Sequence, residues 1–263
     1  MEKAPIIIAL TGKGGVGKTS LAALFVRHLC EAYPDKRILA IDADPAIGLS
    51  TALGVEVGST VDDIRKLFIE HAEDGDAKAA MQILSEAKYQ ISDALVEKDN
   101  LSFLAIGRPE AAGCYCKVNA YLKEVIGLLS SHFDYVVIDG EAGIEQVNRR
   151  VMEKVTHLVL VSDASKKGLK VTQTIYQVAK ELTMFQHAGI IVNRLTDMVY
   201  LNRLDLGGIP LLAAIEDDKA MTESDIDGDS AFELATSSPI YQGSKKALTE
   251  MGLLADMQPR RGQ

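Results

Sequence analysis

Gly12-Lys13-Gly14-Gly15-Val16-Gly17-Lys18-Thr19 is the stretch that decides how this chain folds. It follows the apolar run Ile6–Leu10 and precedes a helical pattern over Thr19–Ala32. The pattern G-x-x-x-x-G-K-[ST] therefore stands where a phosphate-binding loop needs it, between a strand and a helix. Glycines let the backbone turn so that successive N–H groups face phosphate oxygens, and the helix N-terminus adds its positive dipole. Gly12 through Ser20 are read as the cradle for ATP or ADP, with Lys18 on the β- and γ-phosphates and Thr19 on Mg²⁺.

Working outward, short apolar runs alternate with helical patterns, as in a parallel sheet covered on both faces. Strands are expected at Ile6–Leu10, Arg37–Ile41, Leu101–Ile106, Tyr135–Ile138, His157–Val161, Gly189–Val192 and Leu211–Ala214. Helices are expected at Thr19–Ala32, Val118–Ser131, Glu145–Lys154, Lys170–Lys180 and Ser244–Leu254. The fold class is doubly wound α/β, a mostly parallel sheet of about seven or eight strands, with ligands at the strands' carboxyl ends. One domain over 1–257 is expected, with a helical, charged insert at about 57–100 and a frayed tail at 258–263.

A net charge of −9 and a pI near 5.1 argue against a non-specific nucleic-acid surface. No apolar run reaches the roughly 18 residues of a spanning helix, and no secretory signal is evident. Three cysteines do not make a disulfide framework, so a cytoplasmic location with reduced thiols is expected. The acidic stretch Met221–Ser230, with Asp225, Asp227 and Asp229, lacks the later bidentate Glu of a calcium loop. Lys245 and Lys246 precede Ala247, Leu248, Met251, Leu253 and Leu254, but Glu250 and Asp256 dilute the charge. A packed terminal helix is expected there in place of a membrane anchor. Cys30, on the apolar side of the first helix, reads as core.

The wording Lys13-Gly-Gly-Val-Gly-Lys18-Thr resembles the deviant P-loop, or deviant Walker A motif, of a family that includes nitrogenase iron protein, MinD, ParA and the arsenite-pump ATPase. The resemblance implies that Lys13 crosses a dimer interface to the partner's nucleotide and that ATP favours a sandwich dimer. Ile41-Asp42-Ala43-Asp44-Pro45 ends the second strand as that family's switch I does. Asp44 is then the candidate for orienting the attacking water, beside Lys13 and Lys18 as catalytic residues, and Asp42 for outer-shell contact with Mg²⁺. Asp139, closing the strand Val136-Val137-Ile138, has the form of a Walker B acid reaching Mg²⁺ through water, and Gly143 could let the switch approach the γ-phosphate. Asn193 and Arg194 match the adenine-reading position, and Ile215, Glu216 and Asp217 stand where the base pocket closes.

Cys114 and Cys116 form a Cys-Tyr-Cys triplet between a strand and a helix. Two thiolates are half of a tetrahedral soft-metal site, and a two-fold dimer would bring two pairs together around Ni²⁺, Zn²⁺ or a cluster. Alone, the triplet also fits a redox pair or two incidental thiols. With the P-loop, Gly-Cys-Tyr-Cys, Asn119 and Asp139-Gly-Glu-Ala-Gly-Ile-Glu145 resemble the CooC/AcsF family of nickel-insertion ATPases. That resemblance implies a cytoplasmic, homodimeric metallochaperone in which Cys114 and Cys116 bind Ni²⁺ or Zn²⁺ across the dimer. The client would be carbon monoxide dehydrogenase or acetyl-CoA synthase, with neither nucleic acid nor membrane as partner. The alternatives are a positioning ATPase of the MinD/ParA kind and an iron–sulfur carrier resembling nitrogenase iron protein.

Overall fold

The computed structural model describes residues 4–44, 46–73, 86–87, 89–107, 116–140, 155–182 and 184–255. In chain order these form β1 (Ile6–Gly12), α1 (Lys18–Ala32), β2 (Ile38–Asp42), α2 (Gly48–Leu53), α3 (Val61–Glu73), β3 (Val96–Lys98) and β4 (Leu101–Ala105). Then come α4 (Cys116–Ser130), β5 (Tyr135–Asp139), β6 (Val155–Ser162), α5 (Lys166–Glu181) and β7 (Phe185–Leu195). A 3₁₀ turn (Met198–Arg203), β8 (Leu211–Glu216), α6 (Lys219–Asp227) and α7 (Pro239–Glu250) complete the described order.

The strands make one eight-stranded sheet ordered β3-β4-β2-β5-β1-β6-β7-β8. Every pairing is parallel except β3 with β4. Central strands are buried on both faces, which is why they read as unbroken apolar runs. Leu21, Leu24, Phe25 and Leu29 of α1 join Leu248 of α7 in the apolar layer on one face. Ile64 of α3 and Leu169 and Ala179 of α5 lie in the layer on the other. Phe25 is fully buried, so its truncation to Ala should cost about 3–5 kcal/mol.

Five features depart from the expected elements. The region 57–100 is not wholly helical, because β3 closes it as an antiparallel hairpin on β4. Asp99 takes a left-handed φ of 53° in the two-residue turn that such a hairpin requires. The acidic stretch at 221–230 is mostly helix. Asp218 caps α6 by accepting from the Met221 N–H, and Gly228 ends it at φ 75°. α7 starts at Pro239, five residues before Ser244, because Pro suits the first helical turn. Its Ala247 and Leu248, with Leu253 and Leu254 beyond it, are buried in the core, so this helix packs as expected. The strand β7 is also longer than Gly189–Val192, and α5 begins at Lys166 because Ser165 accepts from the Gly168 N–H. The expected helix at Glu145–Lys154 lies outside the described residues.

Cys30 is partly buried against the core, and burial pushes its thiol up to about 12. It is therefore an inert packing thiol.

Candidate functional site

β1 ends at the middle of the sheet's carboxyl edge, with β5 on one side and β6 on the other. At Gly12 the backbone passes so close to β6 that a Cβ would sit 2.0 Å from the Val161 carbonyl oxygen. Gly15 and Gly17 hold φ values of 74° and 86°, left-handed turns that glycine adopts without strain. Gly17 is the N-cap of α1 and supplies no side chain to cap it. The first N–H groups of α1 are thus left for an anion, and the helix dipole points the same way. Lys18 is buried and donates from Nζ to the Lys13 carbonyl oxygen at 3.2 Å, lying back along the loop it serves.

Asp42 and Asp139 are direct neighbours in the register of β2 and β5. Thr19, one residue into α1, donates its hydroxyl to Asp139 Oδ2 at 2.6 Å. Asp139 Oδ1 is buried and has no hydrogen-bond partner. Burial pushes the Asp139 carboxyl up to about 7; the Thr19 bond and Lys18 pull against this, and the charges of Asp42 and Asp44 add to it. Burial likewise raises Asp42 to about 6. Its Oδ1 accepts from the Asp44 N–H and its Oδ2 from the Leu49 N–H, which ties the turn after β2 to the start of α2. Asp44 is half-buried and accepts the Ala46 N–H at 2.9 Å within that turn.

The expected adenine readers hold the loop itself. Asn193, buried, donates from Nδ2 to the Val16 carbonyl oxygen at 2.9 Å, and Arg194, at φ 59°, donates from Nη1 to the Gly15 carbonyl oxygen at 2.9 Å. Both border a narrow cleft of about 20 Å³ together with Gly17, Ser20 and Asp217. That is room for a water, not for a purine. Ile215 instead turns into the core, where a Cβ on Gly243 would meet its Cγ1 at 2.4 Å. Glu216 is exposed and does not line the cleft. Met221 and Asp225 of α6 do line it and were not expected. Burial raises the Asp225 carboxyl while Arg194 pulls it down.

Lys13 pairs within its own subunit. Its Nζ lies 2.5 Å from Asp163 Oδ2, just past the end of β6. The Ser165 hydroxyl and N–H both donate to Asp163 Oδ1. Burial alone would raise Asp163, but the bonds from Lys13 and Ser165 outweigh it and hold the carboxyl below its usual range. The sequence offered one unused signal for Asp163: like Asp42 and Asp139, it is an acid at the carboxyl end of an apolar strand. Cys114 and Gly143 lie outside the described residues, and Cys116 opens α4.

A model described as an AAA domain matches residues 4–188. An uncharacterised ATP-binding protein of Methanocaldococcus jannaschii is 35% identical over 90% of this chain and 94% of its own length. The carbon monoxide dehydrogenase accessory protein CooC of Rhodospirillum rubrum is 31% identical over 87% of this chain and 90% of its own. The structure of the septum site-determining protein MinD with Mg-ADP from Pyrococcus horikoshii is 26% identical, covering 94% of this chain and 96% of that one, at a TM-score of 0.67. The chain belongs to the P-loop ATPases of the MinD/ParA superfamily. It hydrolyses ATP, and nucleotide with Mg²⁺ is what such a site takes.

This ATPase's residues fit the cation. The unpartnered Asp139 Oδ1 belongs to a carboxyl that burial, and then the charges of Asp42 and Asp44, push toward its protonated form, and a divalent ion would offset both. Thr19 and Asp139 would hold it, with Asp42 behind them. Bound there, Mg²⁺ supplies positive charge to the β- and γ-phosphate oxygens. Lys18 and the open N-terminus of α1 would face the same phosphates, so the transferred charge would be met from several directions.

Proposed function

We propose that this ATPase works as an ATP-driven homodimer that carries nickel to carbon monoxide dehydrogenase or acetyl-CoA synthase. What carries the reading is the conjunction of Cys114-Tyr-Cys116 with Lys13 in a chain 31% identical to CooC over 87% of its length. The segment holding the cysteines leaves β4, where the Ile106 N–H donates to the Asp42 carbonyl oxygen, and enters α4 at Cys116. It therefore departs from the sheet edge that bears Asp42 and Asp139. In the proposed dimer two Cys114–Cys116 pairs meet around one Ni²⁺ or Zn²⁺ as cargo. Lys13 leaves Asp163 for the partner's nucleotide, and Asp44 orients the water that takes the γ-phosphoryl group. Hydrolysis separates the subunits and opens the thiolate site to the client.

The test is metal content and molar mass measured together, with and without ATP, on anaerobic, reduced protein. Wild type should hold about one metal per dimer under ATP. The double variant Cys114→Ala/Cys116→Ala should keep nucleotide binding and lose that metal. Unchanged nickel and zinc binding in the double variant would overturn the reading.

A second reading rests on the MinD likeness: a positioning ATPase that uses the same nucleotide residues. It predicts ATP-dependent cosedimentation with liposomes or DNA, which the metallochaperone should not show.

A further inference from the structure

A groove of about 1160 Å³, mostly apolar, runs beside α5, on the sheet face opposite α1. Ile175 and Leu204, both half-buried, belong to its floor. Lys166, Lys167 and Lys170 of α5 and Arg203 of the 3₁₀ turn stand along it, all exposed. Asp205 is the acid among its lining residues, and its Oδ1 already accepts the Gly207 N–H. Among the described residues none of the three lysines makes an ion pair. A smaller cavity of about 310 Å³ shares Lys170 with the groove and extends the hollow to Gln177. From Lys166 to Gln177 is about 16 Å of helix, the length of roughly three turns on a partner.

Four cations gathered over an apolar floor stand out on a chain whose net charge is −9. They complement an occupant that is acidic on one face and apolar on the other. We infer that this groove docks an acidic amphipathic helix of a partner protein, its apolar residues on Ile175 and Leu204 and its carboxylates against the lysines and Arg203. A partner seated there lies close to the nucleotide site, because Ala164, which lines the groove, directly follows Asp163, the residue that holds Lys13. The inference is independent of whether Cys114 and Cys116 carry metal.

The probe is a fluorescein-labelled helical peptide of about 15 residues, with Leu at i, i+3, i+4 and i+7 and Glu elsewhere. The comparator replaces every Glu by Lys. Anisotropy titrations of the full chain should show the acidic peptide binding at least about tenfold tighter than the basic one, and weakening as salt is raised. The double variant Lys166→Glu/Lys170→Glu should lose about tenfold in affinity while keeping its thermal midpoint and ATPase rate. No binding, equal binding of the two peptides, or an unaffected double variant overturns the inference. So would dissociation of a nucleotide-free chain dimer by the peptide, which makes the occupant a second copy, or competition by anionic phosphatidylglycerol vesicles, which makes it a lipid surface.

Discussion

The two ends of the nucleotide site differ in how finished they are. At the phosphate end the loop is already bent, α1 is uncapped, and Asp139 holds out an oxygen with no partner. At the base end Asn193 and Arg194 are spent on the carbonyls of Val16 and Gly15, and the cleft between them and α6 is nearly shut. The difference predicts an order of events: phosphates find a ready site, and a base read by Asn193 and Arg194 would have to open its own pocket. Substitutions at the phosphate end should therefore cost far more than those at the base end.

The sharpest test is Lys18→Ala, which should lower steady-state ATP hydrolysis by roughly a thousandfold, because no other buried cation lies along the loop among the described residues. Gly12→Ala comes next. Its Cβ has no space beside Val161 and no flexible neighbour to displace, so denaturant melts should show a loss of about 3 kcal/mol or more.

The third test is pH. Asp139 at about 7 and Asp42 at about 6 hold protons that the unfolded chain has already released. Their contribution to stability is complete below about pH 4 and is lost as pH rises through their folded values. His28 and His157, which burial holds down to about 4, act the other way, and stability falls as acid charges them. Asp139→Asn isolates the carboxylate part. Without Mg²⁺ its thermal midpoint at pH 8 should exceed that of wild type by several degrees, on the order of 2 kcal/mol. With Mg-ADP the ranking should reverse, since only the wild type gains from the cation.

The smallest effect belongs to the base end. Arg194→Ala removes one hydrogen bond worth about 1 kcal/mol and should speed release of a fluorescent ADP analogue about fivefold in stopped flow. If it cost as much as Lys18→Ala, the contrast between the two ends would be wrong.

How much of this was legible in the sequence follows the same division. The phosphate end is local: Gly12 to Thr19 are contiguous, and the acids Asp42 and Asp139 end apolar runs that announce themselves as strands. The base end is assembled from β7, β8 and α6, and α6 has almost no apolar periodicity, with only Met221 and Ser224 buried. Its residues therefore read only as an acidic stretch. Val96–Lys98 went unseen as a strand because three residues with two charges carry no alternation to detect, and their pairing with β4 is tertiary information. Asp163 escaped for a different reason: its partner Lys13 lies 150 positions away.

The position of β1 also has a consequence for how the protein is born. Its neighbours on both sides, β5 and β6, are made long after it, and Gly12 cannot lie against Val161 until the ribosome has passed that residue. At about 5–20 residues per second the phosphate loop waits many seconds as an unsupported segment, its apolar strand open to wrong partners. The ability to hold nucleotide thus arrives late in synthesis, and ATP in the cell acts on the finished sheet as a ligand that traps it.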